Sequence, residues 1–173
     1  MSVTRLVTVD DAPAITELVI ENREFLAPWE PARDEDYFTL GYQRKAIETG
    51  LERMSQGLCL PHVILDGGQV AGRINLNNII RGVLQSASVG YWLNGGATGR
   101  GLATAALAEM KRIGFTHLGL HRIEAGTLKH NVRSQRVLER NGFERFGMAP
   151  KYLRIAGEWQ DHILFQVLNP EEG

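Results

Sequence analysis

Cysteine is nearly missing from this chain, with Cys59 the single one in 173 residues. A lone thiol excludes an internal disulfide, suits a reducing compartment, and leaves Cys59, set in an apolar stretch, as small core filler. Long hydrophobic runs are missing too: nowhere do roughly 18 apolar residues follow one another, so no membrane-spanning helix is expected. Met1 to Asp11 hold no basic segment followed by an apolar run, the mark of a signal peptide. A soluble, cytoplasmic protein is the expectation. Charge of one sign is also lacking. Nineteen Lys and Arg face 20 Asp and Glu, for a net charge of -1, and no basic run reaches five residues. A generic nucleic-acid or membrane-surface role therefore finds no support, and a small or proteinaceous partner fits better. No metal centre is expected. His117 and His121 are four apart, but Gly119 and an expected change from helix to strand separate them. Repeats and low-complexity segments are absent.

What is present is 43% hydrophobic content in a length that fits one domain, residues 1–173. Thr4 to Val9 reads as a strand, and Asp10-Asp11-Ala12-Pro13 opens a helix with an apolar face at Ala14, Ile15, Leu18 and Val19. Asn22 to Pro31 reads as a shaped loop, its prolines enclosing Trp29 and Glu30 and forbidding regular helix. Trp29 either plugs the core or, with Glu30, receives a cationic amine. A second helical region spans about Asp34 to Gln56, with possible breaks at Gly41 and Gly50. Leu60 to Leu65 and Gln69 to Leu76 form a hairpin across Asp66-Gly67-Gly68. Asn75 and Asn77 share one strand face, where they satisfy the strand end or grip a substrate backbone.

Gln85 to Leu93 forms a strand that leads into Thr98-Gly99-Arg100-Gly101-Leu102-Ala103, and helical spacing follows through Ile113. Two glycines around an arginine, before a helix N-terminus, make either a tight turn or a cradle for phosphate. His121 to Lys129 reads as a strand, Val132 to Asn141 as a short helix, and Phe143 to Met148, Lys151 to Ile155 and Trp159 to Val167 as strands. Mixed order with a β-α-β unit argues for an α/β or α+β domain. A dinucleotide fold fails on detail, because Thr104 stands where a third glycine belongs, and a P-loop fails because no Gly-Lys-Ser/Thr follows.

Three segments in order carry a resemblance: Ser88-Val89-Gly90-Tyr91-Trp92-Leu93, then Gly99-Arg100-Gly101-Leu102-Ala103, then Asn131-Val132-Arg133-Ser134 running to Asn141-Gly142-Phe143. They resemble the GNAT superfamily of acetyl-CoA-dependent N-acetyltransferases. The stretch Asn22 to Pro31, Arg81-Gly82, and Tyr152-Leu153 to Gly157-Glu158-Trp159-Gln160-Asp161-His162 resemble the RimJ branch of its RimJ/RimL ribosomal-protein-alanine N-acetyltransferases. The likeness spans nearly the whole chain. It implies a mixed, twisted seven-stranded sheet flanked by helices, with acetyl-CoA wedged where two central parallel strands splay apart.

The resemblance further implies that Trp92 and Leu93 bond the pantetheine arm through their main chains and that Thr98, Gly99, Arg100, Gly101, Leu102 and Ala103 hold the pyrophosphate. Asn131 would meet the pantetheine or thioester end, with Arg133 and Arg136 near the nucleotide. Thr98 departs from relatives that carry Gln or Arg, so that phosphate contact is either weaker or supplied by Arg100. Leu138 stands where many relatives place a proton-donating tyrosine, and Ser134 takes that role in the RimJ/RimL branch. Its other reading is a first-turn serine that caps backbone donors. Glu124, on the strand leading to Asn131, is either a base or an ion-pair partner. Glu30 is the second candidate base, better suited to bind the incoming ammonium than to deprotonate it. The implied activity is acetylation of a protein N-terminal amine, with N-terminal alanine of a ribosomal protein first. A small amine such as an aminoacyl compound or antibiotic, and a non-catalytic acyl-CoA-binding sensor, stand as alternatives. A homodimer is among the assemblies left open.

Overall fold

Tight glycine turns and long extended runs dictate the sheet. In the computed structural model, which describes residues 1–172, Gly67 and Gly68 both take positive φ (55° and 85°) and close a hairpin of β2 (Leu60–Asp66) with β3 (Gln69–Ile80). This is the backbone twist that favours adjacent antiparallel strands. The remaining strands are β1 (Thr4–Leu6), β4 (Ser86–Leu93), β5 (Arg122–Leu128), β6 (Glu144–Ile155) and β7 (Glu158–Leu168). They form one seven-stranded sheet in the order β1-β2-β3-β4-β5-β7-β6. Every neighbouring pair is antiparallel except β4 and β5.

Helices cover both faces. Helix α1 (Ala12–Glu21), the short α2 (Arg23–Leu26) and α3 (Leu40–Ser55) precede the hairpin, α4 (Leu102–Thr116) follows β4, and α5 (Val132–Arg140) follows β5. Alternation along the strands sorts residues between two cores. Ile74, Leu76, Val89, Leu93, Ile123 and Ala125 pack with Leu107, Met110 and Leu138 of α4 and α5. Val7 and Val63 pack on the other face with Ile15, Val19 and Ile47 of α1 and α3, joined by Trp92. Cys59 is buried, as core filler should be.

Five expectations need correction. The stretch from Asn22 to Pro31 is not loop throughout: Arg23–Leu26 form a helical turn before the prolines act, and Ala27–Trp29 continue as a 3-10 turn. The helical region after Asp34 divides into a 3-10 turn at Glu35–Phe38 and α3, which starts after Thr39, whose Oγ1 accepts from Tyr42 N (3.2 Å). Gly41 and Gly50 do not break α3, because its packing onto the sheet offsets their poor helix propensity. Strand β3 runs on past Leu76 to Ile80, carried through a register shift at Asn78 with φ of 50°. Strand β6 is continuous where two strands were expected, and the irregularity falls at Ala149–Leu153, around Lys151 with φ of 46°.

Gly72 fixes how β3 meets β4. It pairs with Leu93, next to a register shift at Ile64 and Leu65, and a Cβ added there would sit 2.2 Å from the Trp92 carbonyl oxygen. Backbone cannot yield as a side chain tip can. Gly72→Ala is therefore expected to lower unfolding free energy by about 3 kcal/mol, read from the urea midpoint.

Candidate active site

Strands β4 and β5 pair for three residues only, Ser86 to Arg122, Ala87 to Ile123 and Ser88 to Glu124, and then part. Beyond that point β4 stays bonded to β3 as far as Leu93, and β5 to β7 as far as Leu128. The facing edges from Val89 to Leu93 and from Ala125 to Leu128 are thus left without ladder partners, in a wedge. Unpaired backbone in a crevice calls for a ligand that supplies the missing bonds. Trp92 and Leu93 lie on this edge.

Both strands run toward the open end of the wedge, and a helix begins beyond each. Gly99 and Gly101 carry φ of 79° and 78°, and Gly101 is the N-cap of α4 with no side chain to offer. The first helical bond runs from Ala105 N to Gly101 O (3.0 Å), so the N–H groups of Leu102, Ala103 and Thr104 face outward uncapped. Open space surrounds both glycines where a Cβ would project. An anion is the natural partner for such a terminus. The Thr98 hydroxyl is engaged locally, donating to Gly95 O (2.8 Å), and Arg100 pairs with Asp66 of the β2–β3 turn. Arg133 and Arg136 are exposed on α5, and neither forms an ion pair among the described residues.

Asn131 caps α5, its Oδ1 accepting from Ser134 N (3.2 Å). That leaves the Ser134 side chain free of capping duty. Its Oγ lies 2.9 Å from the Tyr91 hydroxyl, reaching across from β4. Burial pushes the Tyr91 phenol up to about 12, partly offset by the serine hydrogen bond. Sequence reasoning quoted Tyr91 within a motif but gave it no task. Period-two alternation along β4 sets it with Val89 and Leu93 on the α4 and α5 face, and only the packing of α5 shows which side chain it meets. Leu138 is fully buried between α5 and the sheet.

Glu124 projects from the opposite face, level with Ser88. Its Oε1 is 2.7 Å from Arg122 Nε, an ion pair by distance although the Nε–H is not aligned for a hydrogen bond. Further along each strand on that face stand Gly90 and Gly126, whose nearest side-chain neighbours are Asn77 and His162. Asn75 and Asn77 share this face, opposite Gly90 and Ser88, and line a cavity of about 700 Å³ beneath α3. The other two substrate candidates lie elsewhere. Trp29 packs on His130, the neighbour of Asn131, at 5.4 Å between ring centroids. Glu30 lines a smaller cavity of about 180 Å³ with Arg33 and Tyr37, and its main-chain oxygen accepts from Ala156 N (2.8 Å) in the β6–β7 turn. Burial raises the Glu30 carboxyl above its usual value, with Arg33 pulling it back.

Residues 3–144 match the family model described as Acetyltransferase (GNAT) domain. The chain belongs to the GNAT acetyltransferase family. Over 97% of its length it is 38% identical to "Probable N-acetyltransferase YjcK" of Bacillus subtilis (strain 168), covering 94% of that protein. It is 34% identical to the [ribosomal protein uS5]-alanine N-acetyltransferase of Escherichia coli (strain K12), across 98% of this chain and 88% of the relative. Among solved structures, Mycobacterium smegmatis RimJ in complex with CoA-disulfide superposes with a TM-score of 0.94 at 34% identity, over 97% of this chain and 82% of that one. The GNAT sheet and the parted central strands are as the resemblance implied. An unpaired strand edge leading to an uncapped helix terminus fits a long, hydrogen-bonding ligand that ends in phosphates.

Because Asn131 caps α5 through a side-chain oxygen, Asn131→Ala should cost about 1 kcal/mol in urea unfolding. Asn131→Asp keeps that oxygen and should retain most of the stability.

Proposed function

We propose that this GNAT protein transfers the acetyl group of acetyl-CoA to the α-amine of a protein N-terminus, with N-terminal alanine of a ribosomal protein as acceptor. The observation that carries this reading is the 34% identity, along 98% of the chain, to an enzyme named for that alanine. Geometry supports it. The wedge has a hydroxyl pair on one face and an open, polar cavity on the other, so acceptor and leaving group can be served from opposite sides.

In this reading the main chain of Trp92 and Leu93 holds the pantetheine arm, and the N–H groups from Thr98 to Ala103, with the Arg100 side chain, hold the pyrophosphate. Arg136 lies toward the nucleotide, and Asn131 fixes the α5 terminus beside the thioester. Acetyl-CoA supplies the activated carbonyl carbon. Asn75 and Asn77 orient the acceptor backbone, while Trp29 and Glu30 shape the approach of its amine. Glu124 accepts the proton that the attacking amine must lose. The hydroxyl of Ser134, steadied by Tyr91, donates a hydrogen bond to the departing sulfur. Positioning then provides most of the rate, since a free α-amine has a reference pKa of about 8 and is partly neutral at pH 7.

Mass spectrometry of ribosomal proteins and N-terminal peptides incubated with acetyl-CoA tests the substrate. One acetyl gain on an α-amine is expected, and gain confined to lysine side chains overturns the reading. Ser134→Ala should lower kcat about 10- to 1000-fold. Tyr91→Phe should lower it less, about 10-fold, because Ser134 keeps its hydroxyl.

The pH dependence follows from the same groups. Below about pH 8 most of the acceptor amine is protonated and only the neutral fraction reacts, so kcat/KM rises with pH and then levels. Tyr91, held near 12, keeps its proton throughout, so no falling limb should appear before about pH 10. A decline between pH 8 and 9.5 in stopped-assay profiles would assign the donor elsewhere.

A further inference from the structure

The 700 Å³ cavity beneath α3 is charged in one sense only. Lys45 and Arg53 of α3 and Arg73 of β3 line it, together with Asn75, Asn77 and Ser88, and no aspartate or glutamate is among its lining residues. Among the described residues none of these three cations forms an ion pair. Two polar atoms here are buried without partners, Arg73 Nε and Asn75 Oδ1. A guanidinium with one N–H buried and unbonded is costly, as is crowding like charges around one space. Both costs fall if the occupant brings the missing negative charge.

The position of the cavity says what kind of occupant this is. Its floor is β3, where Arg73, Asn75 and Asn77 stand in register with Trp92, Gly90 and Ser88 of β4, the strand that borders the wedge. Ser88 is also the last residue paired with β5. From Asn77 to Arg73 the strand covers about 13 Å, the reach of about four residues of extended chain. The cavity therefore begins at the apex of the wedge and leads away from it along a row that can bond a peptide and ends at an unpaired arginine.

We infer that this cavity is a selectivity site for an acidic acceptor: a carboxylate carried within the first few residues of the peptide docks against Arg73, with Lys45 and Arg53 adding long-range attraction. The inference rests on the α-amine reading above and narrows it to acidic N-termini. Arg73 is a specificity residue here, remote from the proton transfers, and its guanidinium offers a planar pair of donors matched to a carboxylate.

The test uses the full chain with acetyl-CoA and a set of peptides that begin with alanine. A single glutamate is moved through positions 2 to 5 and compared at each position with glutamine. At one position at least, the glutamate peptide should show a KM at least 10-fold lower, the range of one charge-assisted hydrogen bond. Added salt should erode the difference. In Arg73→Met the gap between the two peptides should close, while urea unfolding shows no loss of stability, because an uncompensated charge has been removed. Should that variant fail to fold, the peptide comparison on the unaltered protein still decides. Equal KM for glutamate and glutamine at all four positions overturns the inference and leaves the α-amine reading intact. A preference that persists in a folded Arg73→Met also overturns it. No transfer to any peptide defeats the α-amine reading itself, and the inference with it.

Discussion

Everything functional in this molecule depends on how briefly β4 and β5 hold together. Each strand has a stronger claim on its other side: β4 pairs with β3 along its whole length, and β5 with β7 likewise. Three residue pairs join the two halves of the sheet, and beyond them twist carries the strands apart. A closed sheet would have satisfied those backbone groups internally and left nothing for a ligand. Because the two strands are parallel, both C-terminal ends open the same way, and the helices that follow them start at the same crevice. Ligand sites of open α/β sheets fall at such places for this reason.

The wedge divides the chemistry between faces, and electrostatics divides it again. Elsewhere several charges are matched. Arg5 holds Asp11 in a two-pronged bond (2.7 and 2.8 Å) that, with the Thr8 N–H, keeps the Asp11 carboxyl below its usual range. Arg23 meets Glu35, and Arg145 meets Glu139. Exposed pairs of this kind add little stability, but they mark a chain in which countercharges are plentiful. Against that background the cavity under α3 stands apart. Burial lowers the pKa of the Arg73 guanidinium, and attraction from Tyr37 and Asp11 offsets this only in part.

Much of this was legible in the sequence where the signal is local. Gly67-Gly68 announced the hairpin, Gly99 and Gly101 announced the start of α4, and Asn131 lies three residues before the N–H it caps. Alternation put Asn75 and Asn77 on one face, where they are. Errors came where packing overrides local preference: glycines inside α3, the extension of β3 through a bulge, and the continuity of β6. The pairing of Tyr91 with Ser134 had no local signal, since 43 residues separate them and their meeting depends on how α5 lies against the parted strands. Arg73 was silent for a similar reason. An arginine in a strand reads as a solvated charge until the helix above it and the missing carboxylate are both known.

On the reading proposed above, the Tyr91–Ser134 pair also accounts for how a weak acid can serve a leaving thiolate. Two hydroxyls hold two hydrogens, and one is spent on the bond between them. Phenol is the stronger acid of the two, so Tyr91 is the better donor and Ser134 the better acceptor. With Tyr91 as donor, the serine hydrogen is left for the departing sulfur in the proposed mechanism, polarised through the shared bond. Burial then matters twice. It keeps the phenol protonated, so the donor chain does not reverse, and it lowers the local dielectric, so each hydrogen bond acts more strongly. A tyrosine on α5 could have met the sulfur directly. With Leu138 in that place filling the core, the proposed route brings the phenol from β4 and acts through the serine.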